Sequence, residues 1–330
     1  MARFVNAAEP AEIVWTRNTT ESINLVSFCW GLQNLGPGDA ILTSQLEHHS
    51  NLVPWQLLAA KTGAELRFIE VDAQGLHLLD DLDAKLRGVK LVAISHVSNT
   101  LGTIAPLETI VPAAHAAGAL VLIDAAQSVP HLPVDVRALD VDFYVVTGHK
   151  LYGPTGIGAL YGKAERLAAL PPFEGGGEMI GEVTRDTITY NRPPFRFEAG
   201  TPAIAQAVGL GAALDFMDSV GRENIAAHEA ALSAYAHERL SRINSIRIFG
   251  TAPGKGPIVA FTMEGAHAHD VATVIDRSGV AVRAGTHCAM PLLQRFGVTS
   301  TCRASFALYN TFDEVDALAD ALLRAEKLFA

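Results

Sequence analysis

Lys150 stands in Thr147-Gly148-His149-Lys150-Leu151-Tyr152-Gly153-Pro154-Thr155-Gly156, directly after the apolar run Val141-Asp142-Phe143-Tyr144-Val145-Val146. A β-branched run of that kind reads as a buried strand. The lysine therefore sits where a strand ends and a glycine-rich loop begins. Ligands of open α/β sheets bind outside the carboxyl ends of their strands. A lysine desolvated there gives up its proton more readily and attacks a carbonyl. An isolated loop lysine is ordinarily a solvated surface group, so the choice rests on the company it keeps.

Three further places could do chemistry. Cys288 lies in Arg283-Ala284-Gly285-Thr286-His287-Cys288-Ala289-Met290-Pro291, where glycine and polar flanks favour exposure. Positive neighbours such as Arg283 and His287 would lower its thiol pKa. Cys29 and Cys302 read instead as small buried hydrophobes. Asp124 follows the apolar residues 120–123, and a carboxylate at the end of a buried strand needs a partner to offset its desolvation. That partner is a structural cation, a helix start, or the protonated ring nitrogen of pyridoxal phosphate (PLP), whose enzymes supply such an acid. Thr19 or Thr20 is a natural N-cap, and the N–H groups behind it suit an anion. His48 and His49 suggest a metal at first sight, but side chains at adjacent helical positions do not face one another, so no metal is expected. A flat imidazole there could stack on an aromatic cofactor or merely cap a helix. The stretch Gly250-Thr251-Ala252-Pro253-Gly254-Lys255-Gly256 is a residue short of a P-loop and has no Ser or Thr after its lysine, which excludes that reading.

The elements that must position these residues alternate. Strands are expected at 12–16, 40–44, 65–70, 91–96, 120–123, 141–146 and 158–161, with helices at 23–35, 52–62 and 107–117 between them. Alternation of this kind argues a mostly parallel sheet covered on both faces. Asn99, Asp124, Gln127, His149 and Lys150 all fall just past strand ends, so they should converge on one edge of the sheet. Residues 171–202 lack any helical period, which marks a functional or interface segment. A helix at 205–220 leads out. Helices at 223–243, 268–278 and 314–329 with strands at 246–249, 258–263 and 303–309 form a smaller α/β layer. The expected domains are 1–219 and 220–330.

Composition narrows the class. A chain of 330 residues, 49% hydrophobic and 18% charged, builds a large globular core. A net charge of −10 argues against nucleic acid or an acidic membrane surface as partner. No apolar run approaches a membrane span. The start, Met1-Ala2-Arg3-Phe4-Val5-Asn6, has no basic region followed by an apolar stretch, and three scattered cysteines make no disulfide framework. A cytoplasmic address with reduced thiols is expected.

Taken together, the chain resembles the cysteine desulfurases of the fold-type I, class V aminotransferase group, SufS/CsdA type, over essentially its whole length. The carriers are Thr19-Thr20-Glu21, Glu47-His48-His49, Ser98-Asn99, Asp124-Ala125-Ala126-Gln127, Gly148-His149-Lys150-Leu151-Tyr152-Gly153-Pro154, Glu198-Ala199-Gly200-Thr201-Pro202, Arg283-Ala284-Gly285-Thr286-His287-Cys288-Ala289 and Cys302-Arg303-Ala304-Ser305.

The resemblance implies that Lys150 holds PLP as a Schiff base and later moves the substrate α-proton. Asp124 pairs with the ring nitrogen, His48 stacks over the ring and takes part in proton transfer, and Gln127 bonds the ring hydroxyl. Thr20, Thr147 and His149 hold the phosphate, with Thr201 reaching in from the other subunit of a homodimer. Asn99 and Arg303 grip the substrate carboxylate, and Arg283 sits beside the substrate.

The implied activity converts L-cysteine to L-alanine, leaves a persulfide on Cys288, and passes that sulfur to a SufE- or SufU-like acceptor for iron–sulfur cluster assembly. Selenocysteine lyase, another class V enzyme, or a PLP-binding chain without turnover are the alternatives. The chain departs from the family pattern at Thr286, where a histidine is common, and at its start. Roughly 70–80 further residues are expected upstream, so apolar surface should be exposed where they would pack.

Overall fold

The computed structural model describes residues 1–329. Its main sheet has seven strands: β1 Ile13–Thr16, β2 Ala40–Ser44, β3 Glu65–Ile69, β4 Val89–Ser95, β5 Leu120–Asp124, β6 Phe143–Thr147 and β7 Gly158–Gly162. They lie in the order β1-β7-β6-β5-β4-β2-β3. β3, β2, β4, β5 and β6 are mutually parallel, and β7 runs antiparallel to both β6 and β1. The expected mostly parallel sheet is therefore present, with a single reversed strand.

Alternate residues of each strand feed opposite faces. Leu42, Val92, Ile94, Val121, Ile123, Tyr144 and Val146 pack on one side, against Ile110 and Val111 of the helix Leu107–Ala116 and Leu210 of the helix Ile204–Val220. Ile41, Leu91, Ala93, Leu122, Phe143 and Val145 pack on the other, against Ile23, Trp55 and Leu58. Burial on both faces explains why these strands read as unbroken apolar runs.

The remaining strands form two smaller sheets. β8 Ile180–Val183 and β9 Ile188–Tyr190 make an exposed hairpin inside the segment expected to be irregular. β10 Ile246–Phe249, β11 Ile258–Met263, β12 Arg283–Gly285 and β13 Thr301–Ser305 form an antiparallel sheet in the order β10-β11-β13-β12. Helices Arg222–Leu240, Ala268–Asp276 and Phe312–Phe329 cover it through a third core that includes Leu232, Phe261, Val271 and Leu322. A fourth core joins the two layers: Leu46, Val71 and Leu101, from the segments that follow β2, β3 and β4, meet Phe249, Ala260, Ala289 and Leu292.

Apolar side chains remain on the surface of the helix Ile204–Val220, where Ile204, Val208, Phe216 and Val220 are exposed. Four residues bring side chains back close to one helix face, so Ile204 and Val208 make one exposed apolar pair and Phe216 and Val220 another.

Candidate active site

β6 delivers Lys150 through the 3₁₀ turn Gly148–Lys150. Glycine is required at 148: a side chain there would meet Ile157 Cγ2 at 2.7 Å and the carbonyl of Pro154 at 3.1 Å. Lys150 lines a cleft of about 290 Å³ together with Thr19, Thr20, His48, Asn99, Asp124, Gln127, Thr147, His149 and Arg283. Burial pulls the Lys150 pKa below its ordinary value; Asp124 opposes that shift, while Arg303 and Arg283 add to it. Burial in turn raises Asp124, whose Oδ1 accepts a hydrogen bond from Ala126 N at 2.9 Å. A buried carboxylate with one backbone donor has capacity for a cationic N–H partner.

The anion end of the cleft lies at the helix Thr19–Val26. Its N-cap is Asn18, whose side chain accepts from Glu21 N. Thr19 and Thr20 thus occupy the first two helical positions rather than the cap, a shift of one residue that brings both hydroxyls into the first turn. Thr19 Oγ1 is buried without a partner. Thr147 Oγ1 and His149 Nδ1 lie 2.9 Å apart. Free helix N–H groups, hydroxyls and an imidazole make a donor set suited to a phosphate. With Asp124 and Lys150 elsewhere in the same cleft, the residues present fit PLP.

His48 enters from the turn after β2. Its Nδ1 lies 2.6 Å from Ser50 Oγ and accepts from Ser50 N at 3.1 Å. Burial, reinforced by Lys150, pushes its pKa down to about 4, so the ring is neutral. The preceding Glu47 is fully buried and holds the turn. Its two oxygens accept from Ser44 Oγ (2.5 Å), Ser95 N (3.1 Å), Ser95 Oγ (2.7 Å) and Asn51 Nδ2 (2.6 Å). Burial lifts its pKa to about 7 against those four bonds.

The second layer supplies two arginines and the thiol. Arg283 and Arg303 are direct cross-strand partners on β12 and β13. Like charges in that relation repel, and burial, with Arg283 beside it, lowers Arg303 to about 10. Arg303 Nη1 donates to Asn99 O at 2.7 Å, whereas its Nε is buried and unpartnered. Asn99 uses Nδ2 to hold His287 O at 2.7 Å and keeps a buried, unpartnered Oδ1. Arg283 Nη2 lies 3.9 Å from Cys288 Sγ, and the thiol is partly exposed.

One expectation for the thiol changes. His287 is not a positive neighbour of it: it is buried, bonds Thr301 through Nε2, and is pushed down to about 4 by burial, so it stays neutral. Thr201, expected to serve the cleft of a partner subunit, is exposed on a separate cavity of its own chain with Gly156, Glu198 and Gly200. Cys29 and Cys302 are buried, and burial drives both thiols up to about 12. Sequence reasoning missed the tethering contacts of His49 and the lining by Ser50 and Ser95. Adjacency to His48 and to the end of β4 was the available signal.

The Aminotransferase class-V family matches residues 1–318. A probable cysteine desulfurase of Synechocystis is 49% identical over 334 aligned positions, covering 100% of this chain and 80% of that protein. The crystal structure of the Escherichia coli cysteine desulfurase CsdA, in an S-sulfonic acid form, superposes with a TM-score of 0.96 at 42% identity, covering 100% of this chain and 82% of that one. A mutant of C-DES, with glycine covalently linked to its PLP cofactor, gives 0.84 at 26% identity over 97% of this chain and 82% of its own. With that match across nearly every residue, and with a lysine, a buried aspartate and an anion cradle sharing one cleft, the chain belongs to the class-V aminotransferase family of PLP-dependent, fold-type I enzymes.

Proposed function

We propose that this chain is a cysteine desulfurase that releases L-alanine from L-cysteine and keeps the sulfur as a persulfide on Cys288. The observation that carries the reading is the Arg283 guanidinium, which lies 3.9 Å from Cys288 Sγ and also lines the Lys150 cleft. One cation thereby joins the thiol to the place where substrate binds.

The side chains divide the work. Lys150 would bind PLP, Asp124 would face its ring nitrogen, Gln127 its hydroxyl and His48 its face, while Thr20, Thr147 and His149 would hold the phosphate. Thr201 would reach the phosphate from a partner subunit. Bound there, PLP supplies the electron sink that lets an α-proton leave an amino acid. Lys150, held neutral more easily by burial, accepts that proton at Nζ. Arg303 is left with an unpaired Nε, and a substrate carboxylate satisfies it while offsetting the repulsion from Arg283. Asn99, with one N–H on His287 O, offers its other N–H to the same carboxylate. Arg283 places a guanidinium 3.9 Å from Cys288 Sγ, beside the attacking sulfur. The thiolate attacks the substrate sulfur, the carbon–sulfur bond breaks with its electron pair on carbon, that carbon takes up a proton to become the methyl group of alanine, and Lys150 Nζ returns the α-proton.

The same reading places the enzyme in the cytoplasm as a homodimer, with residues 1–219 as the PLP domain and 220–330 as the thiol-bearing domain. A SufE- or SufU-like acceptor would draw the persulfide off for iron–sulfur cluster assembly. Among the described residues no helix is long and apolar enough to cross a membrane.

The test is alanine release from L-cysteine with a thiol reductant present, for wild type, Cys288→Ala and Lys150→Ala. Only wild type should turn over, and Cys288→Ala should keep the visible absorbance of bound PLP. Equal alanine release by wild type and Cys288→Ala would overturn the assignment.

A further inference from the structure

The loop that carries Cys288 is held in an unfavourable shape. His287 has φ 54° and Cys288 φ 57°, two successive non-glycine residues in the left-handed region. Such residues keep that shape only where surrounding contacts over-determine it. His287 is fixed to Thr301 and, through its carbonyl, to Asn99 Nδ2 at 2.7 Å. Inside the loop, Ala289 N donates to Thr286 O at 2.9 Å. The other two bonds both come from His49. Its backbone N–H donates to Cys288 O at 2.7 Å, and its ring Nε2 accepts from Met290 N at 3.1 Å.

We propose that His49 is a positioning residue for the thiol, clamping the peptide before and the amide after Ala289 so that Cys288 stays beside Arg283. The inference rests on the reading of Cys288 as the sulfur acceptor. His48 and His49 are adjacent but do separate work. Their ring centroids are 6.4 Å apart and inclined by 51°, with His48 lining the cofactor cleft and His49 on the cysteine loop. The turn bearing both is anchored by Glu47 to Ser95 at the end of β4 and to Asn51. Ring and thiol are therefore referred to one buried carboxylate. As an acceptor at Nε2 the ring carries its proton on Nδ1.

The experiment compares the PLP-loaded full chain with His49→Ala, His49→Phe and His49→Gln. Backbone hydrogen exchange is followed in the peptide covering 286–293, alanine release is measured in parallel, and exchange in β11 serves as the control for folding. Ala and Phe remove the acceptor, Phe while filling the space. Both should speed exchange at Met290 about tenfold and lower kcat by a similar factor, leaving KM and the PLP absorbance as in wild type. Gln supplies an amide oxygen near the position of Nε2 and should restore both readouts to within about threefold. Unchanged exchange at 286–293 in the Ala and Phe variants, with β11 protected, overturns the clamp. If wild type itself releases no alanine, the desulfurase reading fails and the exchange comparison still decides the clamp.

Discussion

Glu47→Gln tests whether a buried carboxylate sets the geometry around His48. All four groups on Glu47 can donate to it. The orientation of Asn51 is fixed because its Oδ1 accepts from Trp55 Nε1 at 3.0 Å. A glutamine NH₂ must therefore face either Ser95 N–H or the Asn51 amide N–H, and one buried donor loses its acceptor whichever way the amide is turned. An unsatisfied buried donor costs about 1–3 kcal/mol.

The wild type carries a second, pH-dependent contribution. The Glu47 carboxyl is raised from 4.5 to about 7 in the fold. The folded state then binds the proton more tightly, so this stabilisation is complete below 4.5 and is lost as pH rises through about 7. The full span corresponds to about 3 kcal/mol, of which about 2 kcal/mol falls between about pH 5.5 and 8.5. Urea unfolding of both proteins, followed by tryptophan fluorescence, should show wild type more stable at about pH 5.5. The gap should shrink by about 2 kcal/mol at about pH 8.5. A gap that is constant with pH, or a Gln variant more stable at the acidic end, refutes the reasoning.

Gly102 has φ 78°, and a side chain there would lie 2.8 Å from Gly256 O and 3.1 Å from Lys255 Cε. Gly102→Ala should therefore disturb the junction between the layers, lowering the melting temperature and alanine release together in a thermal scan and a paired assay. Asp142 is fully buried and accepts from Val121 N at 2.9 Å, Arg166 Nε at 2.8 Å and His115 Nε2 at 3.0 Å. Asp142→Ala leaves the buried Val121 N–H without its acceptor, while Arg166 and His115 are partly exposed and turn to solvent, and should cost about 1–3 kcal/mol in urea unfolding, with the PLP absorbance of the surviving folded protein unaltered. Asp124→Asn keeps the shape but not the charge, and should weaken PLP binding in equilibrium dialysis by about 10- to 100-fold. An unchanged dissociation constant would remove Asp124 from the cofactor site.

The large sheet was legible because both its faces are buried. Runs such as Leu120–Asp124 are apolar throughout and end on a polar residue, so each strand end, and with it Asp124 and Lys150, could be placed. The exposed hairpin of β8 and β9 was not legible, since Val183, Ile188 and Tyr190 face solvent and no buried side imposes an alternating pattern. The helix expected at 23–35 is broken by a π-turn at Ser27–Gly31, where a side chain on Gly31 would strike Leu58 Cδ2 at 2.3 Å. That contact with the helix Val53–Thr62 is tertiary and leaves no trace in local pattern. β13 covers Thr301–Ser305 rather than 303–309. Its pairing with β11 ends at Ile258↔Ser305, next to Pro257, which has no N–H to continue the ladder.

What the pattern could not convey is how the two layers are brought to one point. The turn at 98–103 carries most of that burden. Asn99 holds His287 of the thiol loop through its side chain and Arg303 of β13 through its carbonyl, and Gly102 O accepts from Gly256 N at 2.8 Å. The 47–51 turn adds His49 on the same loop. Arg303 and Cys288 thus take their positions from large-layer turns rather than from the sheet that bears them. Strand β12 alone could not hold the thiol, because it is three residues long and fixes little beyond Gly285. The left-handed backbone at His287 and Cys288 follows from it: the loop is bent to where the turns hold it.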